Sequence, residues 1–413
     1  MRGTITRLSA LLSAVAILLI GHGLQLTLLP VHAEGLGWSA AAIGSSGSAY
    51  FLGFVVGCVL IPPVVGRVGH IRTFMVMGAL ATVALLAAGL FAALPAWLVF
   101  RFLTGFALSG LYMVIESWLV DVTPANNRGT ILALYTVICL LGMSVGQAFL
   151  GLASPLSLEL FMAGAAIICL AIVPVGLARV AAPHPIPSAR FSASVLLKAS
   201  RVAIVCAFAG GLVTGAFWTL GPVLARAFGL EAVQVGGMMG AGIIGGAVAQ
   251  IPVGRLSDRT DRRLVIGGLM AAGGLVALGG WFFAGAGSVA LAVIMFLFGA
   301  ATFCIYAVCI AHASDNADIP LVEIASGILI MNSAGSIAGP IVVALLMDRF
   351  GPESFFAYVL ACLAPVAAWV FYRAAVVDRS RDHEHASILP RTTQAIAELS
   401  PSEPDVGTET ADG

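Results

Sequence analysis

Charged residues are scarce in this chain: only 10% of its 413 residues are Asp, Glu, Lys or Arg, and Lys198 is its one lysine. Hydrophobic residues make up 60% of the chain, and its mean hydropathy is +1.04. A water-soluble domain would have to hide an implausible amount of apolar surface. The formal net charge of zero by itself says nothing about partners. No patch of one sign remains once the bias of basic residues toward one side of the membrane is accounted for, so we expect no nucleic-acid partner.

Sequence patterns for cofactors and for catalysis are missing as well. The seven cysteines all lie inside apolar runs and give neither a disulfide framework nor metal-ligand spacing: Cys58, Cys139, Cys169, Cys206, Cys304, Cys309 and Cys362. No P-loop sequence of the form G-x-x-x-x-G-K-[ST] occurs, which disfavours an ATP-driven pump. Because no nucleophile–base pair is evident either, we expect no metal, no cofactor and no enzymatic activity.

Long apolar runs are what the chain has in abundance. Each run is about 20 residues, roughly the length that crosses a ~30 Å hydrocarbon core as a helix. Runs of this length predict helices, because a membrane barrel would show shorter alternating segments. The first run is too long for the apolar part of a signal peptide, so we expect it to be retained. The predicted spans are 8–30, 41–64, 73–93, 96–119, 130–152, 158–179, 202–225, 234–254, 264–285, 288–311, 323–346 and 354–375.

A short proline-containing segment divides the twelve runs into two sets of six. We predict an all-α integral membrane protein with an N-terminal bundle over 1–180 and a C-terminal bundle over 200–375. The stretch 181–199 is then a linker, and 376–413 is a polar tail that we expect to be disordered, since it can bury little apolar surface.

The distribution of basic residues predicts the orientation. With the N-terminus inside, 17 of the 20 Lys and Arg residues fall on the cytoplasmic side, all but Arg101, Arg226 and Arg349. The positive-inside rule therefore predicts that both termini are cytoplasmic. We expect a multi-pass protein of the plasma membrane.

The two halves repeat one another. A shift of 194 residues lays Phe102, Gly105, Tyr112 and Asp121 on Phe296, Gly299, Tyr306 and Asp315. A shift of 193 places Gly142 and Gly146 on Gly335 and Gly339, and a shift of 192 places Arg67 on Arg259. A parallel repeat of six helices predicts two bundles related by a pseudo-two-fold axis along the membrane normal.

Sequence motifs in the loops indicate a family. After the eighth run the chain reads Gly254-Arg-Leu-Ser-Asp258-Arg259-Thr-Asp261-Arg262-Arg263, which resembles the G-x-x-x-D-R-x-G-R-R signature of the major facilitator superfamily. The first-half copy is degraded, with Gly66 where the family usually has Asp. Arg101-x-x-Thr104-Gly105 resembles the family's R-x-x-x-G motif. The stretch Glu116-Ser-Trp-Leu119, with Arg128-Gly129, looks like a poorly characterised bacterial subgroup.

The resemblance implies a central cavity lined by helices 1, 4, 7 and 10. Each polar side chain there could instead form an interhelical hydrogen bond, and His22 could be an ordinary core histidine. Gln147 and Asn332 could join the cavity from beside it. The candidate substrate residues are His22, Gln25, Tyr112, Gln147, Thr214, Trp218, Thr302, Tyr306 and Asn332.

Glu116 is the one acid inside the predicted spans. An intramembrane carboxylate is costly and indicates function. It could carry a proton, or it could act as a gate latch paired with Arg128, Arg67 or a helix dipole; a plain interfacial carboxylate is the third reading. We favour the latch, with Asp121 nearby.

Two groups of charged residues have competing interpretations. Arg101 could reach the outer interface, or it could face the cavity, as the matching arginine of the family does. Asp258, Arg259 and Arg262 could reflect topology alone. The alternation of acid and base favours a salt-bridge latch that closes the cytoplasmic side.

The sequence therefore predicts a secondary transporter of a small solute, proton-coupled or uncoupled, working as a monomer in the lipid bilayer. A non-transporting membrane sensor or scaffold is the alternative, though no sizeable soluble domain supports it. An integral-membrane enzyme would need a catalytic constellation that the sequence does not show. Solute flux into proteoliposomes distinguishes these classes.

Overall fold

A computed structural model describes residues 2–123, 128–177, 200–315 and 321–376, with side chains described for 8–123, 131–177, 200–315 and 324–376. The predicted linker 181–199 and the tail beyond Val376 lie outside the described residues. The described part is helical, and it contains twelve helices long and apolar enough to cross a membrane. This confirms the predicted all-α fold.

The first six membrane helices form the N-terminal bundle. Helix α5 continues into a short 3-10 turn, and α6 is interrupted at Ala171. Their bounds are α1 Arg2–Gly35, α2 Ala40–Val68, α3 His70–Leu90, α4 Leu94–Val122, α5 Arg128–Ala148, and α6 in two segments, Glu159–Leu170 and Ile172–Gly176.

The second six helices form the C-terminal bundle. Helix α10 is interrupted after Thr302, and the break falls beside the cavity described below. Their bounds are α7 Arg201–Ala227, α8 Ala232–Arg259, α9 Arg262–Phe283, α10 in two segments, Ser288–Thr302 and Ile305–Asp315, α11 Leu321–Phe350 and α12 Ser354–Val376.

Several helices are longer than their apolar runs predicted. Helix α1 continues to Gly35 and α4 to Val122, so Glu34 and Asp121 are helical residues too. At 1.5 Å per residue, helices of 27–30 residues are longer than ~30 Å of hydrocarbon requires. Hydropathy detects only the part in the hydrocarbon, whereas backbone hydrogen bonding carries the helix on through the interface.

Short-range signals set where helices end and begin at the sharp turns of the chain. Gly69 ends α2 with φ of 85°, a left-handed conformation that favours glycine, and α3 begins at the next residue. The Ser39 hydroxyl accepts a hydrogen bond from the Ala42 amide at the start of α2. Asp261 does the same for Arg263 at the start of α9. These turns keep consecutive helices antiparallel and adjacent.

Glycine contacts reproduce the sequence repeat in space. A Cβ added at Gly105 would collide with the carbonyl oxygen of Tyr50, and one added at Gly299 with the carbonyl oxygen of Gly242. Position 299 is the repeat partner of 105. Similarly, a Cβ at Gly146 would collide with the backbone of α1, and one at Gly339 with that of α7. Each bundle therefore packs α2 on α4, or α8 on α10, through equivalent small residues.

The bundles contact one another through α1 with α7, α2 with α11 and α5 with α8. Large apolar side chains elsewhere point outward, as a lipid-facing surface requires: Val59, Val83, Leu275, Phe282 and Val289 are among them. A cavity remains between the bundles near the middle of the helices.

Candidate functional site

The central cavity is built from both bundles. Its volume is about 270 Å³, which suits a small solute. Helices α1, α2, α4 and α5 supply one wall, and α7, α8, α10 and α11 supply the other. The lining residues are His22, Leu26, Tyr50, Phe51, Phe54, Arg101, Tyr112, Leu140, Met143, Gly210, Thr214, Trp218, Thr219, Ile243, Gln250, Thr302, Phe303, Tyr306 and Asn332.

Seven of the nine candidate substrate residues line this cavity: His22, Tyr112, Thr214, Trp218, Thr302, Tyr306 and Asn332. Gln25 and Gln147 do not. Gln147 is buried between α1 and α5, where its amide donates to the Gly23 carbonyl at 3.0 Å and its oxygen accepts from Thr27. Gln25 is fully buried in the N-terminal bundle. Gln147 therefore bonds between helices, whereas the Gln25 amide has no hydrogen-bond partner among the described residues.

Arg101 faces the cavity rather than the membrane surface. Its side chain is only 4% exposed, and its guanidinium carbon lies 4.7 Å from the centre of the Tyr50 ring. Among the described residues, Nε and Nη1 have no hydrogen-bond partner. A buried guanidinium with unused donors is costly, so its position favours an electrostatic role.

Aromatic side chains surround Arg101 on the N-terminal side. The His22 ring stacks beside Tyr50 with centroids 6.2 Å apart and meets Tyr112 edge-on at 6.3 Å. Within the described ranges, Nδ1 of His22 has no hydrogen-bond partner. Tyr50 was missed in the sequence because α2 was not among the expected lining helices.

The C-terminal wall is mostly aromatic and hydroxyl-bearing. Trp218 and Phe303 stack with centroids 5.6 Å apart and an interplanar angle of 15°. Phe303 sits at the break in α10, so the interruption places this ring in the wall. The hydroxyls of Thr214 and Thr302 donate to carbonyls of their own helices, each at 2.8 Å. They are therefore left as hydrogen-bond acceptors toward the cavity.

Glu116 lies outside the cavity, buried between α4 and α5. Its side chain is 0% exposed, and Oε1 accepts a hydrogen bond from the Tyr135 hydroxyl at 3.0 Å. Arg67 is exposed, and the side chain of Arg128 lies outside the described residues. Asp121 is exposed at the end of α4. The latch and proton interpretations both remain predictions.

The charged cluster after α8 ties three helices of one bundle together. Arg262 is 2% exposed and its Nε donates to Asp315 of α10 at 2.6 Å. Its Nη2 lies 3.5 Å from Asp258, whereas Arg259 is exposed. Arg263 pairs with Asp261 at 2.8 Å. Whether the motif closes a gate stays a prediction.

Polar contacts between the bundles gather at one end of the molecule. We call the end bearing the C-terminus of α1 and the N-terminus of α2 the far end. There, Asp348 of α11 accepts hydrogen bonds from the Ala40 and Ala41 amides, both at 2.8 Å. Arg226 lies 3.5 Å from Glu34. Deeper in the molecule, about two turns into α2, Ser48 donates to the Ile337 carbonyl at 2.6 Å.

We call these far-end contacts the far-end seal. Sequence reasoning missed it, although one signal was available: the first turn of α2 contains no acid of its own, so its exposed amide groups favour a carboxylate from elsewhere.

Two six-helix bundles around a central cavity define a membrane transporter. The family model for the Major Facilitator Superfamily matches residues 11–331 and 203–401, and the chain belongs to the major facilitator superfamily.

Relatives agree with this family. An uncharacterised MFS-type transporter of Yersinia pestis (strain Pestoides F) is 29% identical over 323 residues, covering 76% of this chain and 82% of the relative. The uncharacterised MFS-type transporter YcaD of Escherichia coli O139:H28 is 28% identical over 351 residues, covering 84% and 90%.

Solved structures share the fold at low sequence identity. The nucleoside transporter NupG superposes with a TM-score of 0.71 at 15% identity, covering 91% of this chain and 100% of that one. A bacterial homologue of the human lysosomal transporter Spinster, in an inward-facing and occupied conformation, gives a TM-score of 0.70 at 15% identity, covering 89% and 97%. At this identity the likeness concerns the fold alone.

Proposed function

We propose that this chain is a secondary active transporter that moves a small solute by alternating access around the central cavity. The observation that carries the proposal is the position of that cavity. It lies between two bundles that repeat one another, and both bundles contribute its walls. A site shared by two bodies changes its access when the bodies tilt.

The far-end seal supports an assignment of the conformational state. On the predicted orientation, with both termini cytoplasmic, the far end faces outward. Asp348 with Ala40, and Glu34 with Arg226, then close the outer path, and the cavity would exchange solute with the cytoplasm. We propose an inner-membrane protein whose functional unit is a monomer, because the monomer already contains both walls of the cavity.

Coupling to the proton gradient is part of the proposal. Glu116 is a buried acid outside the cavity, and its hydrogen bond to Tyr135 links α4 to α5. That link supports the gating role ahead of direct proton carriage. Arg101 and His22, both in the cavity wall, are the next candidates.

Solute flux tests the proposal. Purified protein is first screened for metabolites and drugs that raise its melting temperature, since a ligand of the native state stabilises it. Hits are then offered, radiolabelled, to proteoliposomes preloaded with the same unlabelled compound. Exchange above that of protein-free liposomes is expected. Ligands that bind without crossing would instead indicate a sensor or scaffold on this fold.

A further inference from the structure

We propose that the cavity takes a small organic monoanion, a carboxylate on an aromatic or branched apolar body, with Arg101 as its counter-ion. This inference rests on the proposed transport function and names the solute class. It depends on the charge inside the cavity, the unused donors of Arg101 and the chemistry of the opposite wall.

The charge of the cavity favours one negative charge on the solute. Arg101 is the one formally charged side chain among the described lining residues, and no carboxylate stands among them. Glu116 is bonded to Tyr135 outside the cavity, and Asp258 lies at the end of α8. A dianion would bring a second negative charge without a partner. A cation would be repelled by the positive charge of Arg101 and would find no carboxylate among the described lining residues.

The geometry of Arg101 leaves its edge for an anion. The guanidinium carbon lies over the Tyr50 ring, 4.7 Å from its centre, so a cation–π contact holds the side chain in the cavity wall. Nε and Nη1 have no partner among the described residues although the side chain is 4% exposed. Carboxylates match these in-plane donors better than any neutral acceptor.

The remaining walls suit an apolar body. Trp218 and Phe303 form a stacked surface on the C-terminal side, and Phe51 and Phe54 line the N-terminal side. The hydroxyls of Thr214 and Thr302 already donate to their own helices. These two hydroxyls add no donor, and no second cationic side chain stands among the described lining residues to pair with another anionic group. A volume of about 270 Å³ limits the body to roughly one ring or a short branched chain.

Matched ligand series test the charge requirement. The probes are benzoate, phenylacetate, 4-methylpentanoate and 3-phenylpropanoate, each with its amide and its amine, together with acetate and terephthalate. Melting temperatures and tryptophan quenching are measured on the purified full chain. At least one monoacid should bind at least about tenfold more tightly than its amide, as expected for a charged hydrogen bond. Acetate, lacking the body, and terephthalate, carrying two charges, should bind more weakly.

Variants assign the effect to Arg101. Arg101→Gln should abolish the preference for acid over amide, and Arg101→Lys should keep part of it. Arg201→Gln, which removes an exposed arginine at the start of α7, is the control and should change nothing. Melting without ligand shows whether each variant folds. If Arg101→Gln does not fold, the preference in Arg101→Lys decides: a weakened preference supports the assignment, and an unchanged one overturns it.

The same data separate this inference from the transport function. No acid preferred over its amide, or an unchanged preference in folded Arg101→Gln, overturns the anion site. Exchange of neutral compounds by proteoliposomes would support the proposed transport function but overturn the anion site. Acids that bind through Arg101 but are never exchanged across the proteoliposome membrane would support the anion site and contradict the proposed transport function.

Discussion

The carboxylate of Asp348, near the end of α11, caps the first turn of α2 at Ala40 across the bundle boundary. Its two oxygens accept from consecutive amide groups at 2.8 Å each. An anion at a helix N-terminus is stabilised by the helix dipole and by the otherwise unpaired amides. The contact joins the two bundles at the far end and belongs to the state in which that end is closed.

Replacing Asp348 with Asn should weaken the far-end seal. The amide keeps one acceptor oxygen but loses the charge and the second acceptor, which costs about 1–2 kcal/mol. The closed population should fall by about 5- to 30-fold relative to the open one. Labelling of an engineered cavity cysteine, Thr214→Cys, by an impermeant thiol reagent added at the far end should accelerate.

A second acid at the same end of the molecule provides the control for this experiment. Glu353 is exposed and lies just beyond the end of α11, outside the far-end seal. Glu353→Gln also removes one negative charge, but it should leave the labelling rate unchanged. An Asp348→Asn rate equal to that of the parent would contradict the seal.

The cluster after α8 separates two roles that its sequence motif combines. Asp315 accepts from the buried Arg262 at 2.6 Å, whereas Asp258 is 38% exposed and lies 3.5 Å from the same side chain. Asp315→Ala should lower the free energy of unfolding by about 3 kcal/mol, because a buried charge loses its main partner. Asp258→Asn should barely change stability but should shift the population inward-open and cut transport.

Chemical denaturation and cytoplasmic cysteine accessibility measure the two effects. Accessibility that stays the same in Asp258→Asn would remove it from gating. Equal stability losses in both variants would contradict the division of roles.

Much of the fold could be predicted from hydropathy, because twelve apolar runs leave the backbone no alternative to helices. The repeat was readable from Gly105 and Gly299, since close helix packing needs small residues at equivalent places. The helix ends were not readable: α1 continues to Gly35 where hydropathy has already fallen. Seven candidate residues face the cavity, but the helices of six of them were selected only by the family resemblance, and Asn332 was expected to join from beside those helices.

The parts that sequence reasoning missed depend on long-range geometry. Asp348 and Ala40 are 308 residues apart, and nothing local indicates that they meet. Tyr50 was missed because α2 was not among the helices expected to line the cavity. Gln147 does not line the cavity in this structure, because its buried amide bonds to the Gly23 backbone and to Thr27, which was the interhelical alternative.

Glu116 offers a test of coupling against gating. If it carries the proton, Glu116→Gln should abolish pH-driven accumulation of the transported solute but leave its exchange, because exchange needs no net proton movement. If it is a latch, both should fall together, and we expect this result. Tyr135→Phe should then reproduce the loss, since it removes the hydroxyl that bonds to Glu116 at 3.0 Å.

Accumulation and exchange are compared in the same proteoliposomes for both variants. Full accumulation in Glu116→Gln would exclude both roles and leave Arg101 or His22 as the next candidate. If accumulation and exchange in Tyr135→Phe equal those of the parent, the hydrogen bond between Tyr135 and Glu116 is not the latch.

Gly105 and Gly299 should respond alike to added side chains. A Cβ at either position collides with the backbone of the facing helix, and backbone cannot yield as a flexible side chain can. Valine at each should destabilise its bundle by roughly 3 kcal/mol, at the upper end of overpacking costs. Thermal melting measures this, and Gly268→Val, where no atom lies within 4 Å of an added Cβ, is the control. A melting temperature of Gly105→Val equal to that of the parent would contradict the close packing of α2 on α4.

The most direct test of alternating access is a pair of spin-label distances measured in one protein, in a background without native cysteines. Labels at Leu36 and Ala227 span the far end, and labels at Val68 and Leu256 span the opposite end; all four positions are exposed. Both distances are measured in the parent protein and in Asp348→Asn, each with and without bound ligand. In this set, the far-end distance should lengthen whenever the opposite distance shortens. Two distances that stay fixed, or that change independently, would contradict a transporter whose bundles tilt around the central cavity.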